Sequence, residues 1–182
     1  MQPEAAEHRA MSTTFRRTGA LAAALIGTIG LAQAQAPQRT TATYEDWTVR
    51  CEMQGTPPVK TCEMAQSTTA QGQPNPITQV AVGRANKSDP VRVVFQVPVN
   101  VWLPVGLKFV YDDKEPAVPA AFKRCAPIGC FADTELKDDV VKKLRARATP
   151  GYFEFKDAAQ RDVKIPVSFK GFGQALDALA KE

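Results

Sequence analysis

The amino-acid sequence predicts a mainly β domain, a β-sandwich or barrel with one or two short helices. About eight short segments alternate apolar and polar residues, and turn-forming Gly, Pro, Asn and Asp separate them. Four cysteines lie in two close pairs beside such turns. One apolar run near the N-terminus stands apart from this pattern, and the length of 182 residues suits a single domain.

Residues 1–34 have the three parts of a secretory signal peptide. Arg16 and Arg17 form a positive n-region, residues 19–31 form an apolar run, and Ala32-Gln33-Ala34 is a small-x-small cleavage site. A transmembrane helix requires ~20 apolar residues, and this run is shorter and rich in Ala and Gly. The pattern therefore predicts a signal peptide that is cleaved after Ala34.

Cleavage after Ala34 divides the chain into a signal and two further parts. Residues 35–43 are polar and rich in threonine, which is typical of a flexible lead-in. Residues 44–182 carry the alternating pattern of the folded domain. No transmembrane segment is expected after cleavage, so we expect a periplasmic or secreted protein.

The only histidine of the chain, His8, lies within the predicted signal. The processed chain therefore has no residues for Ser-His-Asp or Cys-His catalysis and no histidine ligand for zinc. Three Arg and two Glu leave with residues 1–34, and the remaining 20 basic and 17 acidic residues are mixed. This mixture gives no basic patch for nucleic acid. We expect no catalytic residues, no metal and no cofactor.

An enzyme is the alternative, and without histidine its chemistry would rest on carboxylates, lysine, tyrosine or a free thiol. Acids are adjacent at Asp112-Asp113 and at Asp138-Asp139. One pair lies in a predicted turn and the other at a predicted helix start, where acids are common for structural reasons. The pattern favours a protein that is not an enzyme.

Four cysteines, Cys51, Cys62, Cys125 and Cys130, follow the predicted cleavage site, and an even number in an exported chain indicates disulfides. Three connectivities exist, and the sequence alone does not choose among them. Proximity favours Cys51–Cys62 and Cys125–Cys130. A four-cysteine zinc site fits poorly, because the ten-residue gap in the first pair is too long. A redox dithiol also fits poorly, because four residues rather than two separate Cys125 from Cys130.

The strands follow one another at short intervals along the domain. Trp47, Val49 and Cys51 alternate with polar residues, which is typical of a half-buried strand. Residues 98–104 are apolar but bracketed by prolines, so we predict an edge or a bulged crossover there. The predicted strands are residues 44–51, 60–67, 77–84, 91–97, 107–111, 121–125, 130–136, 152–155 and 163–169.

Two segments have the spacing of short helices. Residues 137–147 begin with acids and end with bases, as the helix dipole favours, and their apolar side chains share one face. Residues 172–179 repeat apolar side chains at helical spacing.

Several motifs occur in an order that is similar to that of a known family. They are Asp46-Trp47-Thr48-Val49-Arg50-Cys51, Cys62 with Gln66-Ser67, Leu103-Pro104-Val105-Gly106-Leu107, residues 122–130 and residues 165–172. Over residues 44–179 the chain resembles the invasion-associated locus B (IalB) family of exported α-proteobacterial proteins. The resemblance implies an immunoglobulin-like β-sandwich in the periplasm, at the outer membrane or outside the cell. It implies no catalytic residues.

The function expected from these observations is binding rather than catalysis. We expect an exported envelope or secreted protein with a protein, envelope or host-surface partner, and the resemblance adds host-cell association or invasion in pathogenic relatives. The alternative is a periplasmic chaperone or assembly factor that uses an exposed sheet edge.

The first candidate partner-binding segment comprises Val99, Val101, Trp102 and Leu103. Tryptophan is favoured at interface hot spots, and apolar residues beside prolines often lie on a rim. The alternative is that Trp102 caps one end of the sandwich core.

The second candidate is a basic spot made of Arg50, beside Cys51, and Lys123-Arg124, beside Cys125. Such a spot would suit acidic glycans or lipid headgroups. The alternative is that these side chains belong to solvated strand faces in a chain of mixed charge.

Overall fold

The strands pair antiparallel into one sheet. The computed structural model describes residues 39–69, 71–72, 75–86 and 88–182, which belong to one compact unit, Ala36–Glu182. The strands are β1 Arg39–Tyr44, β2 Trp47–Gln54, β3 Val59–Thr69, β4 Pro76–Gly83, β5 Arg92–Val97, β6 Leu107–Val110, β7 Val118–Ala126, β8 Gly129–Glu135, β9 Gly151–Lys156 and β10 Asp162–Val167. Their order in the sheet is β1-β2-β3-β4-β5-β8-β7-β6-β9-β10.

Strand β7 belongs to both halves of the sheet. Its first residues pair with β6, where Ala120 lies opposite Leu107, and its later residues pair with β8. The sheet curls at this strand and brings its two halves face to face. Phe95 of β5 packs against Phe109 and Phe153 of the other half, with ring centroids 5.4 and 5.2 Å away. The hydrophobic core lies between the two halves.

The mainly β class with two short helices is confirmed, whereas the immunoglobulin-like sandwich is not. An immunoglobulin fold has two separate sheets, often joined by a disulfide between them. Here hydrogen bonding continues through β7 from one half to the other. Both disulfides, Cys51–Cys62 and Cys125–Cys130, join neighbouring strands of the same sheet.

Residues 39–43 form most of β1, so the prediction of a flexible lead-in is wrong for this stretch. Strand β1 pairs with β2 along its whole length, from Arg39 opposite Glu52 to Tyr44 opposite Trp47. Its threonines are β-branched, which suits a strand. The alternating pattern did not reveal it, because its side chains are almost all exposed. The rest of the lead-in and the predicted signal lie outside the described residues.

Two helices complete the core. Helix α1, Asp138–Ala146, buries Val140, Val141 and Leu144, and helix α2, Phe172–Leu179, buries Phe172, Ala175 and Leu176. Helix α2 packs against α1 and against β1, β2 and β3. Within the described residues, no helix combines the length and the apolar character that crossing a bilayer requires.

Candidate binding surface

The proline-bracketed segment between β5 and β6 is a crossover fixed at both ends. Val101 forms an isolated bridge with Asp157, and the Trp102 backbone N–H donates to the Lys156 carbonyl oxygen across 2.8 Å. A 3₁₀ turn, Leu103–Val105, follows and is closed by the Gly106 N–H, which donates to the Leu103 carbonyl oxygen across 3.1 Å. Of the two predicted arrangements, an edge or a bulged crossover, the segment forms a crossover that contains an isolated bridge and a 3₁₀ turn.

Gly106 brings the end of the crossover against β7. Its φ of 68° lies in the left-handed region, and a Cβ there would stand 2.8 Å from the Ala120 carbonyl oxygen. Only glycine tolerates both conditions without strain. The 3₁₀ turn therefore packs on the first half of β7.

The tip of the β7–β8 hairpin lies against the start of the crossover. The Gln96 side chain donates to the Ile128 carbonyl oxygen across 2.8 Å. The Cys130 sulfur is 4.0 Å from the Val99 carbonyl oxygen. The crossover thus begins at the hairpin tip and ends beside Ala120, and the second half of β7 runs between these two points.

Five large apolar side chains are exposed along this crossover and at the hairpin tip, and together they form what we name the end surface. Their exposed fractions are 57% for Val99, 38% for Trp102, 45% for Leu103, 54% for Val105 and 71% for Ile128. Three of them belong to the first predicted segment. Val101, the fourth residue of that segment, is not part of the end surface, because it is half-buried and packs against the core.

Two exposed cations, Lys123 and Arg124, lie on β7 between the two ends of the crossover. The Arg124 guanidinium stacks 4.2 Å above the ring of Phe131 on β8. In the part of the chain that the structure describes, neither cation has a carboxylate partner. We name them the basic pair. Part of both predicted candidates therefore lies along the second half of β7.

Arg50 does not join the basic pair. Strand β2 is separated from β7 by four strands, which at ~4.8 Å per strand spacing corresponds to roughly 24 Å. The Arg50 Nε donates to Glu63 Oε1 on the neighbouring strand across 2.7 Å. The prediction that Arg50 forms a basic spot with Lys123 and Arg124 is wrong, because β2 and β7 lie far apart in the sheet.

Val105 and Ile128 were not predicted as binding residues. Each is a single apolar residue within a turn, and such residues are common on surfaces. The available signal was local: Val105 follows Pro104, and Ile128 stands between Pro127 and Gly129 at a hairpin tip. Their position beside the crossover depends on strand order, which alternation does not encode.

A second concave region lies between β3, the β4–β5 turn and the two helices. This groove has a volume of about 500 Å³, with Val59, Val141 and Leu176 among its lining. Ion pairs Lys60–Glu182 and Arg145–Asp177 lie among the lining residues. These charges already satisfy one another, so the groove presents less unpaired charge than the end surface and its basic pair.

One group of metal-ligating residue types occurs within the described ranges. The Cys51 and Cys62 sulfurs and a Glu182 carboxylate oxygen lie within 4.8 Å of one another. Both sulfurs belong to the disulfide and offer no thiolate, which is the form that binds metal. This group is therefore part of a structural staple.

The fold and surface define a disulfide-stapled, mainly β domain with an apolar and cationic end. The model of the family described as invasion associated locus B (IalB) protein matches residues 47–180. The chain belongs to the IalB family.

Two relatives are invasion protein B homologs of Brucella abortus, strain 2308 and biovar 1 strain 9-941. Each is 28% identical over 138 residues, which cover 75% of this chain and 77% of the relative. A crystal structure of invasion associated protein b from Bartonella henselae superposes with a TM-score of 0.67 at 21% identity. The match covers 78% of this chain and 95% of that chain. The likeness supports the same fold.

Proposed function

We propose that the protein is an exported, non-enzymatic binding protein that contacts its partner through the end surface. The observation that carries the proposal is the exposure of Trp102, Leu103, Val105, Val99 and Ile128 along the crossover and on the hairpin turn at its start. Contiguous exposed apolar side chains cost free energy in water and mark sites where a partner covers them. Tryptophan is a favoured hot-spot residue at interfaces.

Export is supported by the signal pattern of residues 1–34 and by the two disulfides. Disulfides persist in oxidising compartments and are rare in the cytosol. The names of the relatives add an association with invasion, which we extend to this protein only as a role in binding an envelope or host surface.

Several carboxylates of the domain have structural partners or positions. The pKa of Asp112 is lowered by the Lys114 backbone N–H and by Arg147, and that of Asp157 is lowered chiefly by the Arg161 side chain. A general acid requires the opposite shift, toward neutral pH. Asp138 and Asp139 lie in the first turn of α1, where they stabilise the helix dipole.

The alternative of an assembly factor that binds through a sheet edge is not favoured. Strand β10 carries Pro166, and proline on an edge strand is one of the devices that prevent edge pairing. Strand β1 is short and begins with Arg39, which pairs with Glu52 of β2.

The location is tested by fractionating cells and sequencing the N-terminus of the purified protein. We expect a periplasmic, membrane-associated or secreted form that begins at Gln35. An uncleaved product that remains in the cytoplasm contradicts export.

The surface is tested by introducing a photo-crosslinking amino acid at Val105 or Ile128 and, as a control, at the exposed Lys142 of α1. We expect adducts in living cells at the first two positions and few at Lys142. Equal adduct formation at all three positions argues that the end surface has no special role.

A further inference from the structure

The partner of the end surface follows from its chemistry. We propose that the end surface and the basic pair dock the protein on an anionic lipid bilayer. This inference rests on the proposed function, because it identifies the partner of the same surface. Trp102, Leu103 and Val105 would enter the boundary between headgroups and acyl chains, while Lys123 and Arg124 face the headgroups.

The apolar side chains have the positions that shallow insertion requires. Leu103 and Val105 lie on a 3₁₀ turn and Ile128 on a hairpin turn, so the protein presents them at loop positions rather than on the broad face of the sheet. Insertion to the headgroup boundary buries such side chains without moving strands. Tryptophan suits this depth, because its ring has an apolar body and a polar N–H.

Three backbone hydrogen bonds of the crossover are made within the protein, which lowers the cost of taking those groups out of water. The Trp102 N–H bonds to Lys156, the Ala158 N–H bonds to the Asn100 carbonyl across 3.2 Å, and the Gly106 N–H closes the turn. Unpaired backbone groups are costly in an apolar environment. The fold thus prepares this loop for a low-dielectric surrounding.

The charges beside the surface favour an anionic partner. Lys123 and Arg124 have no carboxylate partner among the described residues. The acids near the crossover are neutralised, since Asp157 pairs with Arg161 and Asp162 with Lys156. The local charge is therefore positive, and an anionic leaflet attracts such a cluster.

The test is flotation with vesicles, using the chain from Gln35 onward in its disulfide-bonded form, which contains the whole compact unit. Vesicles of phosphatidylcholine with phosphatidylglycerol in equal parts are compared with pure phosphatidylcholine. We expect binding to the anionic vesicles that weakens with added salt, because exposed charges are screened. Soluble glycerol phosphate at millimolar concentration is expected not to compete, since it cannot replace the apolar insertion.

Variants separate the two contributions. Each cation near an anionic surface strengthens binding about fivefold, so Lys123→Gln with Arg124→Gln is expected to weaken it roughly 25-fold. Trp102→Ala is expected to weaken it about tenfold through lost apolar burial. The matched control, Lys142→Gln with Lys181→Gln, removes the same charge from α1 and from the turn after α2, and binding is expected to stay within twofold.

Tryptophan fluorescence gives a second readout that does not depend on a variant folding. The chain has two tryptophans, and Trp47 is buried at 1% exposure. Acrylamide quenching therefore reports Trp102, and anionic vesicles are expected to protect it.

The proposal is overturned if anionic vesicles neither float the protein nor protect Trp102, or if the control pair weakens binding as much as the basic pair. If vesicle binding fails while photo-crosslinks at Val105 and Ile128 trap a protein, the lipid inference fails and the proposed binding function stands. If both experiments fail, both proposals fall.

Discussion

The indole N–H of Trp47 donates to the carbonyl oxygen of Ser168 across 2.9 Å and joins the first core strand to the chain just after β10. Gln66 reinforces this joint from β3, where its side-chain oxygen accepts the Ser168 N–H across 2.9 Å. Trp47 also packs edge-on against Phe172, with ring centroids 5.2 Å apart. Residues distant in sequence thus meet around one tryptophan that is buried among the strands and α2.

Trp47→Ala is expected to lower the free energy of unfolding by about 3–5 kcal/mol, because it leaves a large cavity and removes the hydrogen bond to the Ser168 carbonyl oxygen. Urea denaturation followed by circular dichroism measures this change. Trp102→Ala is the control, since its side chain is 38% exposed, and its cost is expected to be below about 1 kcal/mol. Equal losses for the two variants contradict the core assignment of Trp47.

The two disulfides are expected to contribute unequally to stability. The first disulfide joins Cys51 to Cys62, which are 11 positions apart in sequence, and the second joins Cys125 to Cys130, which are 5 positions apart. Chain-entropy arithmetic gives about 3 kcal/mol for the longer loop and about 2 kcal/mol for the shorter one. Double cysteine-to-alanine variants, compared by urea denaturation, test this order. Thiol titration of the denatured, unreduced protein is expected to find no reactive thiol, and four thiols would contradict both disulfides.

Stability is expected to fall in acid partly through Asp112. The Lys114 backbone N–H, 3.0 Å away, and the Arg147 side chain, 2.5 Å away, hold the pKa of Asp112 below its usual 3.8. Because the folded-state pKa is the lower one, Asp112 stabilises the fold above about pH 3.8, and this contribution is lost as pH falls through the lowered value.

Asp112→Asn is therefore expected to be less stable than the parent protein at pH 7, and the difference is expected to shrink as pH falls below 3.8 and through the lowered pKa. Urea denaturation at several pH values measures the difference. Asp113→Asn is the control, because Asp113 makes no hydrogen bond or ion pair within the described ranges. A difference for Asp112→Asn that stays constant from pH 7 to pH 2 would falsify this account.

Local signals predicted the elements whose side chains are buried on one face. The strand with Trp47 and Val49 was found by alternation, and the bounds of α2 were read from the spacing of Phe172, Ala175 and Leu176. Proximity of the cysteines favoured the pairing that the structure contains. In these cases the residues that form the pattern lie within about ten positions of one another, so the local sequence is enough to predict the element or the pairing.

Long-range relationships were not available from the sequence. Nothing local shows that β8 lies between β5 and β7, yet this order brings Ile128 to Gln96 and keeps Arg50 away from Arg124. Strand β1 was missed because it buries little, so its threonines produce no alternation. The end surface could be predicted only in part, as the apolar crossover and the Lys123-Arg124 pair.

Gly129 holds the hairpin tip against the crossover, and its replacement is expected to disturb both. Its φ of 147° lies outside the range that L side chains favour, and a Cβ there would stand 2.5 Å from the Val97 carbonyl oxygen. Gly129→Ala must therefore push the tip away from Val97, at a cost of about 1–3 kcal/mol from backbone strain.

Gly173→Ala is the matched control, because Gly173 lies in α2 with no atom nearer than 3.5 Å and alanine favours helix by ~1 kcal/mol. We expect Gly173→Ala to be neutral or stabilising and Gly129→Ala to lower the urea midpoint. Amide hydrogen exchange should also rise at Cys130 and Val99 in Gly129→Ala alone, since the displaced tip no longer covers the start of the crossover.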